Sequence, residues 1–75
     1  MFEFAVILVH STSHAIQAER VLGRAGLAVK LIPTPRHLSS DCGSAVRIAA
    51  GDRAAVEQSL RAAQVSIDRI ELLDG

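Results

Sequence analysis

The sequence predicts an α+β fold of four strands and two helices. Two observations carry that expectation. Four short runs are apolar or alternate in the manner of strands, and two segments between them repeat apolar residues at helical spacing. A third observation is their order, βαββαβ. That is the order of a ferredoxin-like sandwich, a four-stranded antiparallel sheet with two helices on one face and strands one and three in the centre. The chain of 75 residues has no internal repeat, low-complexity tract or linker, so 1–75 is read as a single domain.

The first strand is residues 2–9, a largely apolar run rich in aromatic and β-branched members. His10, Ser11, Thr12 and Ser13 are turn-type residues that close it, and any of the last three can cap a helix. Ala15, Ala18, Leu22 and Ala25 then recur at helical spacing over about 13–25, with Gly26 placed for a left-handed C-terminal cap. Residues 28–32 are apolar around Lys30 and read as a second strand. Pro33 and Pro35 are expected to stop it, since neither donates a ladder hydrogen bond. Residues 33–43 lack periodicity and form a loop of a length that often serves function.

The third strand, 44–49, alternates Val46 and Ile48 against Ala45 and Arg47. Gly51 and Asp52 open a second helix reaching about residue 64, with Val56, Leu60 and Ala63 on its apolar stripe. Ile70 and Leu72 alternate with Arg69 and Glu71 in the last strand.

Composition excludes several classes of function. A chain this short buries only roughly 60–65% of its unfolded surface, which leaves little stability for a deep enclosed active site. Eight basic and eight acidic side chains cancel, and the arginines are scattered from Arg20 to Arg69 without a cluster. Nucleic acid is therefore not an expected partner. The apolar run 4–9 is too short for a membrane span or a signal segment, and no membrane association is expected. One cysteine, Cys42, forms no internal disulfide, so a cytoplasmic setting is the natural reading. No phosphate loop, dinucleotide fingerprint or hydrolase elbow is present.

The topology gives Cys42 its interest. Strand one rises, helix one returns, and strand two rises again, so the 10–14 turn and the 33–43 loop meet at one end of the sheet. A free thiol titrates near 8.5, leaving about 3% thiolate at pH 7. A helix N-terminus, a nearby arginine or a protonated histidine raises that fraction. The predicted cluster offers the opening of helix one, Arg36, and His10, His14 or His37. Gly43 leaves room beside the thiol, and Ser39 and Ser40 add hydroxyl donors. An exposed Cys42 is the expectation.

Each of these residues also has a plain structural reading. A lone cysteine often packs as a small hydrophobe, and Asp41 beside it works against a thiolate. His10 suits a half-buried position at a strand end, and His14 and His37 suit the surface. Arg36 is either a grip for an anion or a solvated charge. Glu19, inside helix one, is expected to pair with an arginine on the helix surface. Cys42 with two of the histidines could supply a metal site, but cysteine and histidine on separate loops lack paired-ligand spacing, so a Cys/His metal-binding domain is the weaker alternative and no metal or other cofactor is expected.

The same segments resemble a known family of small domains, the putative selenium/sulfur carrier protein-like family. The matching residues are Ser11-Thr12-Ser13-His14-Ala15 with Glu19, then Pro33-Thr34-Pro35-Arg36, then Ser39-Ser40-Asp41-Cys42-Gly43, and the strand around Val46-Arg47. They span more than half the chain in the right order. The resemblance implies a persulfide or selenopersulfide held on Cys42, with proteins that donate and accept the atom. Cys42, Arg36 and Gly43 are then the expected reactive group, flanked by Ser11, Thr12, His14, His10, Ser39 and Ser40. Sulfur and selenium need the same soft nucleophile. With no second cysteine, no resolving disulfide forms within the chain, which suits a carrier better than an oxidoreductase.

Two other classes fit the residues. A binding module would hold a small anion through Arg36 and the helix terminus. A dimerisation or regulatory module would use strand one, which is apolar on both alternating sets. One set, Phe4-Val6-Leu8 or Ala5-Ile7-Val9, faces the helices, and the other suits a homodimer through the open sheet face.

Overall fold

A computed structural model describes residues 3–38 and 42–73. The elements are β1 (Phe4–Leu8), α1 (Thr12–Arg24), β2 (Val29–Pro33), β3 (Ser44–Ala49), α2 (Arg53–Ala62) and β4 (Arg69–Leu73), with one 3₁₀ turn at Ala50–Asp52 leading into α2. The sheet order is β2-β3-β1-β4, and all three pairings are antiparallel. This is the ferredoxin-like arrangement expected, with β1 and β3 in the centre. Among the described residues, no helix is long and apolar enough to cross a membrane.

Strand alternation divides the interior into two clusters. Ala5, Ile7 and Val9 of the first strand region join Val46, Ile48 and Ile70 beneath the helices. Ala15, Ala18 and Leu22 of α1 and Val56 and Leu60 of α2 close that core from above. The spacing of these helical residues places them on one stripe, as amphipathic packing requires.

The opposite face is not bare. Val6, Leu8 and Ala45 are fully buried there, with Ile32 and Leu38 packed against them. Leu38 comes from the β2–β3 loop, so the chain itself covers the apolar set that suggested a partner sheet. The Arg47 guanidinium lies 4.4 Å from the centre of the Phe4 ring, at the other end of this face. The ground for a homodimer across the open face is therefore removed over Val6 and Leu8.

Pro33 belongs to β2, where it pairs with Ser44, although the sequence suggested that the strand stops before it. β2 is an edge strand, so the missing N–H at its end breaks no ladder. Helix ends follow one pattern. Gly26 takes φ +82 after α1, and Leu27 donates to the Leu22 carbonyl at 3.1 Å. After α2, Gln64 takes φ 57, and Val65 donates to the Leu60 carbonyl at 2.9 Å. Both are six-to-one closures that satisfy orphan carbonyls. α2 thus ends earlier than its sequence pattern implied, because Gln64 turns the chain.

Glu19 does not pair with a surface arginine. Its carboxylate accepts the backbone N–H of Leu31 in β2 at 3.2 Å. β2 is an outer strand whose far-side N–H groups have no strand neighbour among the described residues. The α1 carboxylate therefore ties the helix to the sheet and occupies one edge donor.

Candidate functional site

The candidate site lies where the start of α1 meets the end of the β2–β3 loop. Ser11 is the N-cap residue of α1, in an extended conformation, and its Oγ accepts the His14 backbone N–H at 3.3 Å. The same Oγ lies 3.0 Å from His14 Nδ1, so the half-buried imidazole is held against the cap. Of the three capping candidates, the helix uses Ser11. Thr12 is therefore the first helical residue and faces the loop.

Cys42 Sγ sits 3.5 Å from Thr12 Oγ1. It also accepts the backbone N–H of Ser44 at 3.3 Å. Residues 30 positions apart in sequence meet here, at the opening of helix one as the topology predicted. Because the Ser44 N–H only donates, it favours electron density on sulfur in either protonation state. Thr12 adapts: its hydroxyl accepts from the S–H of a thiol or donates to a thiolate. The sulfur thus lies beside the first residue of the 13-residue helix α1.

Exposure departs from expectation. Cys42 is only 6% exposed and belongs to the core cluster beneath the helices. The thiol fills the top of the core as a small hydrophobe does, while its sulfur keeps polar partners. Burial follows from the hairpin base. Pro33 pairs with Ser44, so the loop leaves and re-enters the sheet directly above β3. The half-buried Thr34 then fastens the returning strand. Its N–H donates to the Gly43 carbonyl at 3.0 Å, and its hydroxyl donates to the Cys42 carbonyl at 2.8 Å.

Thr34 has no role in the sequence reading beyond its place in a matching motif. Its signal was available only in combination. A threonine directly after the last residue of one hairpin strand, eight positions before the cysteine, faces the returning chain once the strands pair.

The other predicted residues are dispersed around this point. His10 and His37 are exposed. Arg36 is exposed in the β2–β3 loop and forms no hydrogen bond or ion pair among the described residues. Gly43 is exposed, and a Cβ built on it meets nothing within 4 Å, so no close approach requires glycine there. Ser39, Ser40 and Asp41 lie outside the described residues. Two surface hollows, of about 580 and 290 Å³, are lined by other residues and do not include Cys42. No group of three or more metal-ligating side chains occurs among the described residues.

A family model described as "Putative Se/S carrier protein-like" matches residues 4–71. The chain belongs to this family. The match runs from the first strand through the last, so it takes in every element that builds the sulfur site. No curated protein and no solved structure matches the chain. Within this Se/S carrier protein-like domain, Glu19 and Thr34 are explained by structure: one closes a sheet edge, and the other fastens the cysteine loop.

Proposed function

We propose that this domain carries sulfur or selenium as a persulfide or selenopersulfide on Cys42, passing it between partner proteins. The observation that carries the reading is the setting of Cys42 Sγ, 3.3 Å from the Ser44 N–H and 3.5 Å from Thr12 Oγ1 at the start of α1. Family membership supports it, and implies partners that handle sulfur or selenium.

The chemistry is an exchange without net oxidation. The Cys42 thiolate attacks the outer sulfur of a donor persulfide, R–S–SH. A new S–S bond forms to Cys42 as the donor's S–S bond breaks, and the electron pair leaves on the donor as R–S⁻. Selenium in the outer position follows the same course. Delivery repeats the step with an acceptor thiolate, which regenerates the Cys42 thiolate. Ser44 N–H and Thr12 O–H stabilise the anion before attack and again on release. A cytoplasmic, reducing setting keeps the single thiol free between cycles.

Because Cys42 is only 6% exposed, the reading requires the chain around the thiol to move before a donor reaches it.

Intact-mass measurement after incubation with a persulfide donor tests the reading. The parent chain is expected to gain one sulfur, lost again on treatment with excess thiol. Cys42→Ala should gain none. Equal loading of Cys42→Ala and the parent would reject Cys42 as the acceptor.

A further inference from the structure

Lys30 and Arg47 stand directly opposite each other across β2 and β3, on the sheet face away from the helices. Like charges in that position repel, and cross-strand pairing disfavours them. Their surroundings on this face offer no relief. Val6 lies on the far side of Arg47, and the next positions are apolar: Phe4 and Leu8 on β1, Ala45 and Ala49 on β3, and Ile32 on β2. The acid of the same row, Glu71, lies beyond Val6 and is bonded to Arg69 at 2.8 Å. Among the described residues, the side chains of Lys30 and Arg47 form no hydrogen bond or ion pair.

Arg47 is nevertheless held in place. Its half-buried guanidinium lies 4.4 Å from the centre of the Phe4 ring, a contact that uses its charge but none of its N–H donors. Beside the two cations is a hollow of about 290 Å³. Its lining is Lys30, Arg47 and the apolar residues Phe4, Ala28, Val29, Ile48 and Ala49.

We infer that this hollow binds a small organic phosphate, with the phosphoryl group between Lys30 and Arg47 and the apolar body against Phe4. Two cations at one point are matched by the roughly 1.5 to 2 negative charges that a phosphate monoester carries at pH 7. A carboxylate carries half as much. The guanidinium presents a planar fork of donors that fits phosphate oxygens, and lysine adds a point charge on a flexible stem. Directly opposed residues stand about 5 Å apart at Cβ, so both long side chains reach one phosphoryl group. With the dianion bound, a repulsive pair becomes two attractive contacts. Cys42 packs on the helix side of the sheet, so this site is separate from the sulfur site.

Titration of the isotope-labelled full chain with phenyl phosphate, inorganic phosphate and benzoate, followed by amide NMR shifts at constant ionic strength, tests it. Saturable shifts are expected at Lys30, Arg47 and their strand neighbours, with phenyl phosphate bound most tightly. Lys30→Gln and Arg47→Gln should each weaken its binding by roughly tenfold or more, the loss of one charge-assisted hydrogen bond. Arg20→Gln, at an exposed position of α1, should bind like the parent. Absence of saturable shifts at these residues overturns the inference. Equal weakening by Arg20→Gln does so too, because it marks a diffuse effect of net charge. Benzoate bound as tightly as phenyl phosphate overturns the choice of a phosphoryl group, and inorganic phosphate bound as tightly overturns the role of the hollow. If Arg47→Gln fails to fold, the exposed Lys30→Gln still decides.

Discussion

Replacing Thr34 by valine removes one hydroxyl at nearly constant shape, and its consequence for Cys42 can be worked through. The lost bond is the 2.8 Å contact from Thr34 Oγ1 to the Cys42 carbonyl. The backbone bond from Thr34 N–H to the Gly43 carbonyl at 3.0 Å remains. A neutral hydrogen bond of this kind contributes about 1 kcal/mol net, within roughly 0.5–1.5. If the loop opens locally to admit reagents, its open population rises by the corresponding factor, about fivefold and within roughly 2–13-fold. Iodoacetamide reads this directly, because Cys42 is the chain's one thiol. The parent, with Cys42 only 6% exposed, should alkylate more slowly than the same chain unfolded in urea. Thr34→Val should alkylate about fivefold faster than the parent, and Thr34→Ser should return to the parent rate. A urea titration of each variant, run in parallel, separates local from global opening. The reasoning fails if the folded parent reacts as fast as the unfolded chain, or if Thr34→Val leaves the rate unchanged. It also fails if the rate tracks global stability alone, for then the loop has no opening of its own.

Substitutions at four further positions test the structural account. Glu19→Ala removes the acceptor for Leu31 N–H, and a urea titration should show a loss of about 1 kcal/mol, with Glu19→Gln retaining most of it. Gln64→Gly relieves a left-handed conformation in a side-chain-bearing residue and should leave stability unchanged or raise it by up to about 1 kcal/mol. Gly26→Ala, at the equivalent closure after α1, should instead lower the thermal midpoint, by about 1 kcal/mol in stability terms. Leu22→Ala opens a void in a fully buried site and should cost about 2–5 kcal/mol in a denaturant titration, enough to leave so small a domain largely unfolded.

Legibility in the sequence varies from element to element for physical reasons. The strands and helices were readable because side-chain periodicity follows the local backbone. Val46 and Ile48 alternate, and Ala15, Ala18 and Leu22 repeat by helical turns, whatever lies elsewhere in the chain. Gly26 was readable because its left-handed conformation is a local requirement. The meeting of Thr12 and Cys42 was readable through topology, since the βαββαβ order places both loops at one end. The cap was only narrowed to three hydroxyl residues, and where β1 releases the chain selected Ser11. Gln64 gave no sign of its turn, because its backbone conformation is one that glycine ordinarily supplies.

What the sequence determined alone was the element order, the stripe each helix buries, and the single sulfur on which any thiol chemistry must rest. Tertiary structure decided the surroundings of that sulfur and of the sheet. It buried Cys42 in the core against the start of α1, with Thr34 bonded to its carbonyl, turned Glu19 toward a strand edge, and laid Leu38 over the face that β1 would otherwise leave open. Periodicity is a property of neighbouring residues, whereas burial and hydrogen bonding here join segments from 8 to more than 30 positions apart. Such contacts exist only once the sheet has set the distances between them.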